Sequence, residues 1–467
     1  MWKAMELRIT NKIAALTAAP INKAALRLLL LIPAFLVATC AFATPADSAN
    51  RATVRIANLG ATLELRESAA PANLPSYPGI RYFTTPDGAV VAMANRLLVV
   101  VKNRHTLDAI RALPQVLDHA PLAQLEHSHI ELLETADVAT ALALLAPLAQ
   151  MPGVISAQPD LSQNIALQKG GYFNAERFDL AAAIGLHDAW RHTLGKGVHI
   201  AIIDSGIDLA HKDLRGTKLI AGFDVERRSH RIAPQSAQET HGTRVAGLIF
   251  ARHNGFGIDG VAPQAGLVAI RLMSGWTSAT VIALQAAAQA GADVINCSWT
   301  FPLMLDPVAH LVDELASRGR QGRGVLLVVS AGNRPVEIAA AEQFPAYPAL
   351  LAVTAVDHRG APSGAAYGSG VFIAAPGLLK TTGINANDYG ALGGTSAAAA
   401  VVSGVAALML AVNPQLDRAQ IMKILADTAD RSPPGEFVAG RSPLLGVGRI
   451  HAGRAVAAAV ATRKEPS

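Results

Sequence analysis

Between Val198 and Val356 the chain alternates two textures of apolar sequence. Ile200 to Asp204, Leu267 to Leu272, Val294 to Ser298, Val325 to Ser330 and Leu351 to Val356 are short and apolar almost throughout, as strands buried on both faces are. Ala279 to Gly291 and Pro307 to Arg318 lie between them and read as helices. Strands of this kind separated by helices predict an α/β fold, a doubly wound parallel sheet with helices on both faces. In such sheets, sites form at the carboxyl ends of the strands. Ahead of the sheet, Ala181 to Gly195 reads as a surface helix anchored by Trp190.

Upstream the texture changes. Residues 1 to 43 carry the pattern of an export signal, with Lys23 and Arg27 before the apolar run Leu28 to Ala38. Ala41-Phe42-Ala43 then supplies small residues for cleavage before Thr44. The rivals are a lipoprotein signal ending at Cys40, for which Thr39 is a poor neighbour, and an uncleaved anchor, against which Pro33 and the short run argue. Residues 44 to about 75 are expected to be loosely ordered, with a Pro/Ser-rich patch from Ser68 to Pro78. From Ile80 the text is hairpin-like: Arg81-Tyr82-Phe83, a Thr85-Pro86-Asp87-Gly88 turn, then Ala89 to Ala92. Leu97 to Lys102 is a strongly apolar strand. Thr106 to Leu113, His129 to Leu133, Val138 to Met151 and Val154 to Gln158 then alternate helix-like and strand-like patterns, which makes a small α+β unit.

The apolar stretch Ala397 to Val412 could be mistaken for a membrane helix. It is Ala- and Gly-rich, carries Ser403 in its middle, and falls short of the ~20 residues a bilayer needs. It reads as a buried central helix. Composition adds a few exclusions. At 467 residues, 51% hydrophobic and 16% charged, the chain can bury a large core in two or three domains. Forty basic against 35 acidic residues is mildly basic, and no clustered basic face with interleaved aromatics points to nucleic acid. Of the two cysteines, Cys40 leaves with the signal, and Cys297 reads as a small core residue.

Chemistry enters at Gly393-Gly394-Thr395-Ser396, which leads into the central helix. Thr395 can cap the helix start, and Ser396 falls in its first turn, beside unpaired N–H groups and the positive end of the dipole. A serine so placed suits nucleophilic work when a base can reach it. His241-Gly242-Thr243 opens a second apolar helix, and Ala201-Ile202-Ile203-Asp204 ends a buried strand in a carboxylate, with Asp208 as competitor. Val328-Val329-Ser330-Ala331-Gly332-Asn333 ends another strand in Gly-Asn. Asp, His, Asn and Ser in this order, each at the tip of a buried element, resemble the subtilases, the subtilisin-like serine peptidases. The likeness runs from about Ile184 to Ala459.

The resemblance implies a role for each residue. Ser396 is the nucleophile, His241 the base and later the acid, and Asp204 the group that orients and stabilises the imidazole. Asn333 donates its amide to the oxyanion together with the Ser396 N–H. Ser298-Trp299-Thr300 and Ser330-Ala331-Gly332 line the primary specificity pocket, with Ser298 and Gly332 meeting the substrate. Thr300, where relatives commonly carry Gly, predicts a preference for small or medium apolar side chains. Ala399, Ala400 and Val401 replace the Ser-Pro-His of many relatives, a matter of packing. No cofactor is required for the chemistry. A structural calcium on Asp213 and the loop Asn254 to Ile258 stands open beside a plain surface loop.

The family likeness also implies a layout: signal over 1–43, propeptide over 44–168 with its chaperone and inhibitor unit from about 80, and peptidase domain over 169–467. The tail Leu161 to Lys169 lies in the cleft and is cut by the enzyme itself; the alternative is a permanent accessory domain. The expected partners are a protein or peptide substrate and the chain's own propeptide, with neither nucleic acid nor a membrane span after signal removal. The expectation is a secreted or periplasmic serine endopeptidase made as a self-processed precursor. Its competitor is a catalytically silent binding or chaperone module, against which the complete set Asp204, His241, Asn333 and Ser396 speaks.

Overall fold

The computed structural model describes residues 52–71, 79–164, 178–432 and 436–463. The expected signal, with Thr44 and Cys40, lies outside them, as does most of the tail, from residue 165 on.

The central sheet has seven strands: β8 (His199–Asp204), β9 (Leu219–Asp224), β10 (Gly266–Arg271), β11 (Val294–Cys297), β12 (Leu326–Ser330), β13 (Leu351–Val356) and β14 (Val371–Pro376). Their order is β14-β13-β12-β11-β8-β10-β9, and every pairing is parallel. Alternation along β8 explains why it is apolar throughout. Ile200 and Ile202 enter one core, Ala201 and Ile203 the other. Helices α5 (His241–Phe250), α8 (Gly394–Val412) and α10 (Ala452–Ala461) close the first face; α6 (Thr277–Gln289) and α7 (Asp306–Gly322) close the second. Helix α8 is buried from Thr395 to Leu410, so its apolar run serves a core rather than a bilayer. Cys297 is buried as expected, and burial pushes its thiol pKa up. Helix α9 (Arg418–Thr428) and the hairpin β15 (Leu378–Thr382) and β16 (Tyr389–Gly393) complete this part.

Two local expectations are corrected. The stretch Ala181 to Gly195 is not one helix but two single turns, α3 (Leu180–Ile184) and α4 (Leu186–Trp190). Gly185 breaks them in the left-handed conformation at φ 71°, where a Cβ would lie 2.5 Å from the His451 ring. Trp190 does act as an anchor, its indole N–H donating to the Val261 carbonyl at 2.9 Å. The supposedly loose region is also ordered in part: β1 (Thr53–Asn58) and β2 (Ala61–Ser68) form an antiparallel hairpin. Ile56 and Leu65 enter a core there, with Val54 and Leu63 packed against it, a period-two pattern that charged neighbours disguised.

That hairpin joins β3 (Arg81–Thr84), β4 (Val90–Val101), β5 (Asp118–Gln124), β6 (His129–Glu134) and β7 (Val154–Gln163) in an antiparallel sheet. Helices α1 (Arg104–Arg111) and α2 (Val138–Gln150) cover one side. Strand β4 is apolar on both faces for a reason visible in its partners. Leu97, Val99 and Val101 pack under α1 and α2, whereas Leu98 and Val100 share a core with α6 and α7.

Helices α6 and α7 have no side-chain cap of their own, since Trp276 and Leu305 stand at their N-cap positions. The N-terminal sheet supplies both caps. Asp160 on β7 accepts from the Ser278 N–H at 3.0 Å and its hydroxyl at 2.8 Å, and pairs with Arg96 at 2.7 Å. Asn58 accepts from the Asp306 N–H at 3.1 Å, and Asp306 accepts in return from the Leu59 N–H at 2.7 Å.

Candidate active site

Strand β8, buried through its last five positions, delivers Asp204, still buried, at its carboxyl end. The Asp204 carboxylate meets His241 Nδ1 at 2.8 and 2.9 Å and accepts from the Ser205 N–H at 2.7 Å. His241 opens α5 because two short motifs interlock there. The Gly242 N–H donates to the Ser205 hydroxyl at 2.9 Å, and a Cβ on Gly242 would sit 2.4 Å from the Ser205 carbonyl oxygen. The Asp208 N–H donates to the Thr243 hydroxyl at 2.9 Å, and its carboxylate caps Ala210, so the competing carboxylate turns away from the histidine. With Nδ1 held by a carboxylate, Nε2 of His241 is the free face of the ring. It is buried and has no hydrogen-bond partner among the described residues.

Ser396 sits in the first turn of α8, after Gly394 at φ 68°. Its hydroxyl donates to the Ser298 carbonyl at 2.7 Å, and the Ser298 hydroxyl donates back to the Ser396 carbonyl at 3.0 Å. Asn296 donates to the Ser298 hydroxyl at 2.9 Å and accepts from Ser403 at 2.9 Å. Asn333 fixes the same turn from the other side, accepting from the Thr395 N–H at 2.8 Å and hydroxyl at 2.9 Å. Thr395 therefore lies inside the helix and clasps Asn333, rather than capping the start as expected; Gly393 holds the cap position.

The nominated residues thus form two hydrogen-bonded groups, Asp204 with His241, and Ser396 with Ser298, Thr395 and Asn333. Gly332 belongs to the second, its N–H donating to the Thr395 hydroxyl at 3.3 Å. A Cβ on Gly332 would stand 3.7 Å from the Thr300 methyl, so the segments holding Thr300 and Gly332 face each other there. Asn296 and Ser403 were overlooked. Asn296 is the one polar side chain in the buried run Val294 to Cys297 and Ser403 the one between Ala397 and Val412, and such a residue is buried only with a partner.

Asp213 and the loop Asn254 to Ile258 also come together. Asp213 is fully buried and makes no ion pair among the described residues. It accepts only from neutral donors: the Tyr389 hydroxyl at 2.9 Å, the Ile258 N–H at 3.0 Å and Asn254 Nδ2 at 3.4 Å. A buried carboxylate without a counter-charge among the described residues, beside the Asn254 side chain, is chemistry that fits a hard cation.

Comparison with known proteins identifies the family. The profile described as the Subtilase family, Peptidase S8, matches residues 195–448. The chain is 33% identical to a calcium-dependent protease of Trichormus variabilis over 325 residues, 60% of this chain and 49% of that protein. It is 34% identical to subtilisin E of Bacillus subtilis, covering 50% of this chain and 61% of that one. With the subtilisin of Bacillus pumilus it shares 33% identity over 84% of the relative's length. The chain therefore spans about half the length of the calcium-dependent protease it matches. Among solved structures, fervidolysin from Fervidobacterium pennivorans shares the fold over 84% of this chain and 65% of its own, with TM-score 0.63 and 23% identity. The MycP3 protease of the type VII (ESX-3) secretion system aligns over 63% of this chain and 92% of its own, with TM-score 0.51 and 27% identity.

Proposed function

The chain belongs to the subtilase family, and from that premise we propose that it is a serine endopeptidase made as an exported, self-processed precursor. The observation that carries the reading is the buried pair of Asp204 and His241, with Nε2 free, on the same sheet edge as a helix-start serine. For reaction, the Ser396 hydroxyl leaves the Ser298 carbonyl and gives its proton to His241 Nε2 while Oγ attacks the peptide carbonyl carbon. Asp204 stabilises the imidazolium that forms. Asn333, whose Oδ1 is held by Thr395, would turn its Nδ2 donor to the oxyanion together with the Ser396 N–H at the helix start. The intermediate collapses as His241 passes the proton to the leaving amine, and water then repeats the sequence on the acyl-enzyme.

Residues 44–168 act in this reading as propeptide and intramolecular inhibitor. Its support is the end of β7, where Ser162 bridges Trp276 in antiparallel fashion at the edge of the peptidase domain. Export to the periplasm or beyond rests on the sequence of residues 1–43. Asp213, Asn254 and the loop carbonyls would hold a calcium ion, which would supply the positive charge the buried carboxylate lacks. Chelation is then expected to lower the melting temperature of the wild type but not of Asp213→Asn.

A fluorophosphonate probe tests the central reading. Labelling of the processed protein that disappears in Ser396→Ala supports it; an unlabelled processed wild type points to a silent binding module. Amino-terminal sequencing and intact mass of the mature species check the two cleavages, and Ser396→Ala is expected to retain residues 44–168.

A further inference from the structure

A buried cluster of charge lies beside the Asp204–His241 pair without touching it. Arg271 ends β10 in register with Asp204 on β8 and with Asp224 on β9. Its side chain is almost wholly buried, an unusual place for a cation. Three carboxylates surround it. Glu239 takes a two-point grip at 2.9 and 2.8 Å, Asp224 lies at 3.0 Å, and Glu226 at 3.7 Å.

The partners lead to two different edges of the cleft. Glu239 stands two residues before His241, in the turn that delivers the imidazole. Glu226 accepts from the Met273 and Ser274 N–H groups, each at 2.9 Å. The next residues, Gly275 and Trp276, receive the extended end of β7, where the Gln163 N–H donates to the Gly275 carbonyl at 3.0 Å. Segment 273–276 is therefore a place where extended peptide pairs.

We propose that Arg271 is a positioning residue that holds the His241 turn through Glu239 and the peptide-pairing segment 273–276 through Glu226. The guanidinium fork grips Glu239 at two points, and the second arm is a longer electrostatic contact to Glu226 at 3.7 Å. In kinetic terms the proposal rests on the peptidase reading above, but its structural part does not.

Arg271→Met removes the counter-charge from two buried carboxylates and is expected to unfold the protein, so the test uses the two arms. In a Ser396→Ala background, amide exchange is compared for Glu239→Gln and Glu226→Gln. Glu239→Gln is expected to speed exchange at Thr240 to Arg244 more than at Met273 to Trp276, and Glu226→Gln to do the reverse. Uniform acceleration, or none, would overturn the proposal whether or not the protein is a peptidase. In the active enzyme, Glu239→Gln should lower fluorophosphonate labelling and cleavage of a peptide of about eight residues by the same factor, about tenfold. Glu226→Gln should raise the KM of that long peptide by about tenfold while labelling falls less. Equal losses in all assays for both variants would sink the coupling, whereas an unlabelled wild type would sink the peptidase reading alone.

Discussion

The Gln163 N–H reaches the Gly275 carbonyl oxygen at 3.0 Å, and a Cβ on Gly275 would lie 1.6 Å from the Gln163 carbonyl oxygen. Two backbones meet there with no room for a side chain, and neither can yield as a flexible group could. The Gln163 amide clasps Leu303 from both sides as well, at 3.1 and 2.9 Å. Gly275→Ala is therefore expected to expel the end of β7 without unfolding the central sheet. Hydrogen exchange at Leu161 to Gln163 in a Ser396→Ala background should rise sharply. Protection equal to that of the parent would show that the pairing does not depend on this approach.

The borrowed helix caps give a graded expectation. Asn58→Ala removes one cap of α7 and should destabilise the protein by about 1 kcal/mol. Asp160→Ala removes the cap of α6 and also leaves Arg96 without its carboxylate, so its cost should be about 3 kcal/mol. Thermal unfolding of both variants measures the order. A smaller loss for Asp160→Ala than for Asn58→Ala would contradict it.

Docking of the N-terminal sheet carries a pH dependence at His310. Nε2 of this residue on α7 lies 2.7 Å from the Ser128 hydroxyl, and burial holds its pKa below the ordinary histidine value, against nearby Glu314, Asp313 and Asp306. Above about 6.5 the ring is neutral whether docked or free, and docking is at full strength. As pH falls from there towards the lowered value, the free form takes up a proton and the docked form does not, so docking weakens. Thermal stability in the Ser396→Ala background should therefore drop between about pH 7.5 and about pH 5, which bracket the ordinary histidine value. His310→Gln should show a smaller drop, and an equal drop would rule this histidine out as its source.

In the peptidase reading proposed above, Thr300 would narrow the pocket on the side facing Gly332. Thr300→Gly removes the methyl that stands 3.7 Å from a notional Cβ on Gly332. Profiling against a peptide library should show the preference before the cut moving from small or medium apolar residues towards large aromatic ones, by about tenfold in kcat/KM. A wild type that already prefers Lys, Arg or large aromatics would contradict the assigned width.

The sequence by itself determined the parallel sheet, the central helix and the residues at the strand tips. Those features rest on local rules: strands such as Ile200 to Asp204 are apolar on both faces because both faces are covered, and Gly393-Gly394 marks a close approach before Ser396. Tertiary structure alone decided what depends on partners distant in the chain. Asp204 rather than Asp208 meets His241 because Thr243 engages the Asp208 N–H and Ala210 the Asp208 carboxylate. Helices α6 and α7 lack caps in their own sequence and take them from Asp160 and Asn58, over a hundred residues away. The grip of Arg271 on Glu239 and its longer ion pair with Glu226 were equally invisible. A charge in an apolar strand signals only that some counter-charge must be found, and the fold chooses which one.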